Sequence, residues 1–126
     1  MIILVPLTLV RNWEREFRKW LDLTRIHPQI AIGGKDKVQL AINNFIKGRY
    51  KCLVISYEQF RIYATNMYEK CDLLIFDEGH RLKNKKIKMV ACIEKFPCTR
   101  RIILTGTPLQ NSIDEFFQCV RITNPL

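Results

Sequence analysis

The sequence predicts an α/β fold in which a parallel β-sheet carries helices on both faces. Short apolar runs alternate with amphipathic stretches about five times along the chain, which is typical of parallel sheets covered by helices. Polar or turn-forming residues follow the apolar runs, and open parallel sheets bind their ligands at the carboxyl ends of strands. The 126 residues contain no internal repeat, low-complexity tract or linker, so we expect one domain or one piece of a larger domain.

Each expected element follows from its own pattern. Runs rich in β-branched and other apolar residues predict strands at 2–5, 29–32, 52–56, 73–76 and 102–104. Apolar residues at helical spacing predict helices at 9–21, 36–47, 57–63, 84–95 and from 112 onward. We expect Asp36 to cap the second helix with Gln39 as its capping-box partner, and Gly48 to end that helix in a left-handed conformation.

Two helices carry apolar stripes that we expect to face the core. The stripe of the first helix predicts that its two tryptophans are core residues and do not stack on bases. Its members are Val10, Trp13, Phe17 and Trp20. In the last helix, Ser112 and Glu115 form a capping box. The buried face expected there consists of Ile113, Phe116, Phe117 and Val120.

Charge and hydropathy narrow the classes of partner. The net charge is +9, from 21 Lys and Arg against 12 Asp and Glu, which indicates a polyanion such as nucleic acid or an anionic membrane surface. A solvated basic surface explains the charge alone equally well. The apolar run before Pro6 is too short for a signal peptide, and no run approaches the roughly 20 apolar residues of a membrane span. We therefore expect a soluble, intracellular chain without a membrane role.

The five cysteines predict neither a zinc site nor a disulfide framework. Their number is odd, and no two have the C-x-x-C spacing of metal-binding pairs. We expect free thiols, mostly buried as small apolar residues, in a reducing compartment.

Two carboxylates, Asp77 and Glu78, follow the fourth predicted strand directly. Mg²⁺ binds through one or two carboxylates while keeping several waters, and Asp77 suits that role. Phosphoryl transfer also needs a group that orients and deprotonates the attacking water, and Glu78 suits that role. An isolated Asp-Glu pair is more commonly an acidic turn, and His80 is more commonly a turn histidine. Together they form a candidate site in which His80 senses the nucleotide.

Two further loops are expected at the same end of the sheet. After the fifth strand, Thr105 and Thr107 flank Gly106 and can reach the carboxylate loop by hydrogen bonds, although an ordinary turn is the commoner origin of such residues. After the first strand, Pro6 and Thr8 precede a basic helix. Hydroxyls and backbone N–H groups at a helix N-terminus bind phosphates.

Four segments together resemble the Swi/Snf-like ATPases of helicase superfamily two. They are VPLTLVRNWEREF at 5–17, ISYE at 55–58, DEGHRLKN at 77–84 and LTGTPLQN at 104–111, in the order and spacing of that family. The DEGHRLKN string is similar to the Rad-fifty-four-like recombination-repair translocases. Each segment alone is a weak signal, whereas four in register over almost the whole chain are very specific.

The resemblance implies a partial RecA-like (P-loop NTPase) lobe. Residues 1–126 would form the C-terminal part of the first ATP-binding lobe, from motif Ia to motif III. Glu78 would be catalytic, and Asp77 would hold Mg²⁺ through water. The residues implied to couple the nucleotide to DNA are His80, Thr105, Gly106 and Thr107. The residues implied to bind DNA are Pro6, Thr8, Ser56, Tyr57, Lys83, Asn84, Gln110 and Asn111.

Members of this family use ATP and Mg²⁺ to move along double-stranded DNA in the nucleus, generally without unwinding it. They remodel nucleosomes or recombinase filaments, so the resemblance implies part of such a translocase. A non-catalytic DNA-binding module derived from the lobe is the alternative. An unrelated Rossmann-like enzyme is disfavoured, because no G-x-G-x-x-G follows any predicted strand.

Two parts of the family's machinery do not occur in these 126 residues. The Gly-Gly-Lys at 33–35 lacks the first glycine and the Ser or Thr of a phosphate loop. We expect the phosphate-loop segment before Met1 and the second lobe, with its arginine fingers, after Leu126. The chain alone is therefore expected not to hydrolyse ATP, and a fragment, a partial gene model and a degenerate copy all stay open. Without the phosphate-loop strand, the strand ending at Thr105 is expected to expose an apolar edge.

Overall fold

The structure, a computed structural model, describes residues 1–22, 24–78, 87–106 and 113–125. The strands of this part are β1 (Ile2–Val5), β2 (Pro28–Ala31), β3 (Cys52–Ser56), β4 (Leu74–Asp77) and β5 (Arg101–Leu104). Its α-helices are α1 (Val10–Trp20), α2 (Lys35–Ile46), α3 (Tyr57–Tyr63), α4 (Ile87–Lys95) and α5 (Ile113–Thr123). Short 3-10 helices span Leu7–Leu9 and Ala64–Lys70. All the predicted strands are present, and the bounds of β2, β4 and β5 differ from the prediction by one residue.

The described strands form one five-stranded sheet in the order β2-β3-β1-β4-β5, and every neighbouring pair is parallel. The predicted parallel sheet is therefore confirmed. The chain crosses in one direction from β1 to β2 and in the opposite direction at every later crossover. Because such crossovers are right-handed, α1 is expected on one face of the sheet and α2, α3 and α4 on the other.

The core has two parts, one on each face of the sheet. Alternate residues of β1 divide between them, as the two-residue period of a strand requires. Ile3 and Val5 pack with Val10 and Phe17 of α1. The residues of β1 on the other face, Ile2 and Leu4, belong to a larger cluster with α2, α3 and α4. The prediction of helices on both faces is confirmed.

The ends of α2 correct one prediction and confirm another. Asp36 does not cap this helix, because the helix begins at Lys35 and Gly34 occupies the capping position without a side-chain hydrogen bond. Asp36 instead lies in the first turn, where its negative charge still interacts favourably with the helix dipole. Gly48 has a φ of 75° just after the helix, as predicted for its C-terminal glycine.

Five residues that were predicted to be buried, one in α1 and four in α5, are exposed instead. Trp20 is 70% exposed, and its indole N–H donates to the Glu16 carboxylate over 2.6 Å. The apolar stripe predicted as the buried face of α5 is also exposed. Its members are Ile113, Phe116, Phe117 and Val120. This helix packs against the edge strand β5 and against α4, and its buried contact is Ile122 near its C-terminal end. The stripe extends past the edge of the sheet, where no further described element covers it.

Arg101, at the start of β5, is buried and joins three segments of the chain. Its guanidinium donates to the carbonyls of Cys98 (2.8 Å), Ile122 (3.0 Å), Ile93 (2.9 Å) and Phe96 (2.7 Å). These carbonyls lie at the C-terminal ends of α4 and α5 and in the connection to β5. Partial negative charge at helix C-termini suits a buried cation, so one side chain stabilises the junction of both helices with the sheet.

The thiols are free, as predicted. Burial raises the pKa of Cys52 to about 11. Burial also raises the pKa of Cys71 to about 12, with a further contribution from the neighbouring Cys98. Thiols with such values stay protonated at neutral pH and are poor nucleophiles. None of the helices in the described ranges is both long enough and apolar enough to cross a membrane.

We predict that Arg101→Met lowers the free energy of unfolding by about 3 kcal/mol, because four carbonyls lose a buried donor. Urea unfolding at low micromolar concentration measures the change. The matched control is Arg100→Met, at an exposed neighbouring position, which should stay within about 0.5 kcal/mol of the wild type. Equal effects of the two substitutions would contradict the role of Arg101.

The exposed edge predicts that the 126-residue chain self-associates. β5 pairs with β4 on one side, no strand of the described part lies on its other side, and Ile102 and Leu104 are 43% and 40% exposed. A lysine on an edge strand opposes edge-to-edge pairing. We therefore expect Ile102→Lys to reduce aggregation, measured by light scattering and sedimentation. Ile62→Lys, at an equally apolar exposed site on α3, should not. A sharp, concentration-independent thermal transition of the wild-type chain would count against this prediction.

Candidate functional site

The carboxyl ends of the four strands β1, β3, β4 and β5 lie at one edge of the sheet. Val5 of β1 is in register with Ser56 of β3, and Asp77 of β4 is in register with Leu104 of β5. Because all pairs are parallel, the residues that follow these strands are brought to the same edge. The structure therefore brings the described residues that directly follow β1, β3, β4 and β5, up to Glu78 and Gly106 in the last two cases, to the same edge of the sheet.

Asp77 is the last residue of β4, is half-buried and is held at both its side chain and its backbone. The Trp13 indole Nε1–H donates to Asp77 Oδ2 over 2.7 Å. The Tyr57 hydroxyl donates to the Asp77 backbone carbonyl over 2.7 Å. One donor comes from α1 and the other from the first residue of α3. The Asp77 carboxylate is therefore oriented from α1, and its backbone carbonyl is held from α3.

Glu78 follows directly and has a left-handed backbone, with a φ of 52°. This conformation is uncommon for residues other than Gly, Asn and Asp, and costs roughly 1–3 kcal/mol. The chain turns sharply here, so the half-buried Glu78 side chain leaves the sheet in a direction that a continued strand would not allow. Strained residues of this kind cluster at functional sites, which fits a catalytic role for Glu78.

Ser56 and Tyr57 have buried side chains, at 1% and 7% exposed. Ser56 Oγ accepts a hydrogen bond from the Gln59 backbone N–H (3.3 Å) and caps α3. Burial raises the pKa of the Tyr57 hydroxyl, and the negative charges of Asp77 and Glu78 raise it further. These contacts fix the start of α3 and the backbone of Asp77. Direct binding of DNA by the Ser56 and Tyr57 side chains stays a prediction, and their burial argues against it.

The segment after β1 is more open. Pro6 precedes the Leu7–Leu9 turn, and its carbonyl accepts from the Leu9 backbone N–H over 2.8 Å. Thr8 is exposed, and Leu7 is 58% exposed. This turn leads directly into α1, which contains Trp13. The exposed Thr8 therefore lies five residues before the tryptophan whose indole donates to Asp77.

Part of the predicted site falls on other loops. Thr105 is half-buried and Gly106 is exposed, directly after β5. Six predicted site residues lie outside the described residues: His80, Lys83, Asn84, Thr107, Gln110 and Asn111.

The donor set fits Mg²⁺ held mainly by water and nucleotide. No group of three or more His, Cys, Asp or Glu residues that could hold a metal occurs within the described ranges, so these residues do not form an all-protein metal cage. Asp77 offers a carboxylate at the ligand-binding edge of the sheet, and one oxygen already accepts from Trp13. A single oriented carboxylate oxygen beside Glu78 is the arrangement that a mostly hydrated Mg²⁺ accepts.

Trp13 is the site residue that sequence reasoning missed. It was expected in the core, and it does pack against Phe17, with ring centroids 6.0 Å apart. Its indole N–H, however, needs a hydrogen-bond partner when the ring is partly buried. This requirement indicates from the sequence that Trp13 needs an acceptor. It does not identify Asp77, because that residue lies 64 positions away and only the tertiary structure brings the two together.

The model of the SNF2-related domain matches residues 1–125. The chain belongs to this SNF2-related family. The predicted resemblance to Swi/Snf-like ATPases is therefore confirmed.

Several relatives match this SNF2-related chain over almost its full length. "Protein CHROMATIN REMODELING 25" of Arabidopsis thaliana is 41% identical over 98% of the chain. "DNA repair and recombination protein RAD54" of Oryza sativa subsp. japonica is 40% identical over 98% of the chain. "DNA repair and recombination protein RAD54B" of Homo sapiens is 42% identical over 98% of the chain. The matched regions are only 14%, 13% and 13% of the respective relatives.

Solved structures share the fold. The SWI2/SNF2 ATPase core of Sulfolobus solfataricus in complex with dsDNA superposes with a TM-score of 0.73 at 22% identity. The superposed region is 98% of the present chain and 25% of the Sulfolobus chain. The Hef helicase domain of Pyrococcus furiosus has a TM-score of 0.67 at 17% identity. This SNF2-related chain therefore shares its fold with about a quarter of each of these two solved chains.

The left-handed backbone of Glu78 predicts that two substitutions there differ in stability. Glu78→Gly relieves the strain of the positive φ, whereas Glu78→Gln keeps it. We expect the Gly variant to be more stable than the Gln variant by about 1 kcal/mol, a small net gain because glycine also increases the entropy of the unfolded chain. Urea unfolding of both variants measures the difference. A less stable Gly variant would contradict strain at this position.

Proposed function

We propose that this chain is part of the first ATP-binding lobe of an ATPase that moves along double-stranded DNA. The observation that carries the proposal is the pair Asp77–Glu78 at the carboxyl edge of a RecA-like sheet, with Asp77 hydrogen-bonded to the segments after β1 and β3. Its place in the family supports an ATP-dependent function in DNA repair, recombination or remodelling.

Within this site, Asp77 binds Mg²⁺ through a water, and Glu78 orients the attacking water and accepts its proton. When bound, Mg²⁺ neutralises charge on the phosphates of ATP. The left-handed backbone of Glu78 changes the direction of the chain directly after Asp77, and we assign the metal to the first carboxylate and the proton transfer to the second. Both residues are half-buried, and electrostatic interactions are stronger where water is partly excluded.

DNA is the proposed polyanionic partner. The net charge of +9 provides the electrostatic attraction. The exposed Thr8, the preceding Pro6 and the basic side chains of α1 form the proposed contact with the phosphate backbone. Ser56 and Tyr57, which are buried, are the least exposed described members of the proposed DNA-binding set. Its remaining members are Lys83, Asn84, Gln110 and Asn111. Coupling of the nucleotide to DNA is proposed for His80, Thr105, Gly106 and Thr107.

The rest of the machinery is proposed to lie outside these 126 residues. The chain spans 13–14% of the length of the relatives described above, and 25% of the Sulfolobus core. We propose a phosphate-loop segment and a second lobe as its partners in the complete protein. We propose nucleosomes or recombinase filaments in the nucleus as its targets. The names of the relatives, which refer to chromatin remodelling and to DNA repair and recombination, support a target of this general class. By itself, the chain is expected not to hydrolyse ATP.

DNA-stimulated ATP hydrolysis tests this function. In the complete protein, Glu78→Gln should lower turnover about 10²–10⁴-fold, the usual contribution of general-base catalysis. Glu69→Gln, at an exposed position away from the site, is the control and should leave turnover unchanged. If Glu78→Gln retained full stimulated turnover, the catalytic assignment would be wrong.

Experiments on the isolated chain help to distinguish part of a DNA-translocating ATPase from the alternative, a non-catalytic DNA-binding module. We expect salt-sensitive binding to double-stranded DNA, with log K falling by roughly 0.9 per phosphate contact for each unit of log salt concentration. We expect no stimulated hydrolysis. If the complete protein also bound DNA without hydrolysing ATP, that result would favour the non-catalytic module. Hydrolysis by the isolated chain that Glu78→Gln abolishes would refute the proposed need for the missing segments.

A further inference from the structure

We propose that Trp13 is a positioning residue that links the DNA-facing segment after β1 to the magnesium-binding carboxylate of Asp77. The proposal rests on the function proposed above. It adds a route between DNA and nucleotide to the coupling proposed above for His80 and Thr107. Tyr57 acts with Trp13 by holding the backbone of the same aspartate.

The contact between Trp13 and Asp77 has the properties of an orienting bond. It joins an indole N–H to a carboxylate oxygen over 2.7 Å, at the short end of the range for charge-assisted hydrogen bonds. The indole has one donor and no acceptor, so it can only bind an acceptor oxygen. Because the bond uses Oδ2, it restricts rotation of the carboxylate that would hold hydrated Mg²⁺.

Trp13 itself is held in place by the face of α1 that packs on the sheet. Its ring contacts Phe17, which is buried in the same cluster as Val5 and Val10. α1 continues the Leu7–Leu9 turn without an intervening loop. A shift of this turn on binding a DNA phosphate would therefore move the indole. Hydrogen bonds weaken steeply with misalignment, so a small movement of Trp13 changes how firmly the Asp77 carboxylate is held.

Tyr57 fixes the other end of Asp77. Its hydroxyl donates to the Asp77 carbonyl over 2.7 Å, in the peptide that leads into the left-handed Glu78. Tyr57 is buried, and a carbonyl oxygen can only accept, so its hydroxyl is the donor of this hydrogen bond. Tyr57 holds the backbone of Asp77, so Trp13 restricts the remaining motion, which is rotation of the Asp77 side chain.

The chain offers a matched control in Trp20. Its indole N–H also donates to a carboxylate, that of Glu16, over 2.6 Å. This pair lies within α1 and is exposed, and neither residue belongs to the proposed site. A comparison of the two tryptophans therefore separates the loss of an indole hydrogen bond in general from the loss of the one that reaches Asp77.

The first experiment tests the contact by ¹⁵N NMR of the two indole N–H groups of the 126-residue chain, with Ile102→Lys present in every sample to reduce aggregation. Asp77→Asn should shift the Trp13 indole resonance and leave that of Trp20 in place. Glu16→Gln should do the reverse. This pattern supports the contact independently of ATP hydrolysis. A Trp13 resonance that does not respond to Asp77→Asn would overturn the inference.

The second experiment tests the coupling in the complete protein, by hydrolysis as a function of DNA and Mg²⁺ concentration. Trp13→Phe should reduce the DNA stimulation of hydrolysis about 10- to 100-fold, as expected for loss of a hydrogen bond to a charged group. The variant should also need more Mg²⁺ for half-maximal activity, while its affinity for DNA stays close to that of the wild type. Trp20→Phe should behave as the wild type in all three measurements.

A second change keeps the test decisive if Trp13→Phe disturbs folding. Benzothienylalanine at position 13 keeps the shape of the ring and lacks the N–H donor, so it should reproduce the altered Mg²⁺ requirement without loss of stability. If the wild type is stimulated by DNA and both position-13 changes match Trp20→Phe, the inference is wrong and the proposed function stands. If the wild-type complete protein shows no DNA-stimulated hydrolysis, the proposed function fails, and the coupling role fails with it.

Discussion

The parallel, in-register pairing of β1 with β3 and β4 is the constraint on which the rest of the structure depends. β1 is the central strand, and its four residues are essentially inaccessible to solvent. Every backbone group of such a strand must find a partner in the sheet, because water cannot supply one. This requirement sets the register of the neighbouring strands. The register in turn brings the turn after β1, the start of α3 and the Asp77–Glu78 pair to one edge.

The proposed site lies where the regular strand β4 ends and the backbone becomes strained. β4 ends at Asp77, whose side chain and carbonyl are bound by Trp13 and Tyr57, and the next residue is left-handed. The two donors stabilise the last peptide of the strand against the cost of the turn. A carboxylate that is already oriented before its ligand arrives loses less freedom on binding, which is the general advantage of a preorganised site.

The opposite side of the lobe is stabilised differently. Near the edge strand β5 the apolar packing is thin, and α5 turns most of its apolar stripe to solvent. The buried Arg101 joins the ends of α4 and α5 to β5 through four carbonyls, and an ion pair between Arg121 and Glu94, 2.7 Å long, links the two helices at the surface. Polar contacts thus hold this end together while its apolar surface stays open. Such a surface fits a lobe that belongs to a larger assembly.

The sequence by itself determined the strands, their parallel arrangement, the family and the position of the Asp77–Glu78 pair. Those features depend on local periodicity and on residue types at short spacing, which are visible in one dimension. It could not determine the exposure of Trp20 or of Phe117, because a helical stripe shows which residues share a face and not whether the fold provides a surface to cover it. Nor could it pair Trp13 with Asp77. That hydrogen bond joins residues 64 positions apart, and it exists because the crossover after β1 carries α1 over the face of the sheet next to the end of β4. Only the tertiary structure decides such a contact, since it depends on the relative placement of two elements that share no local pattern.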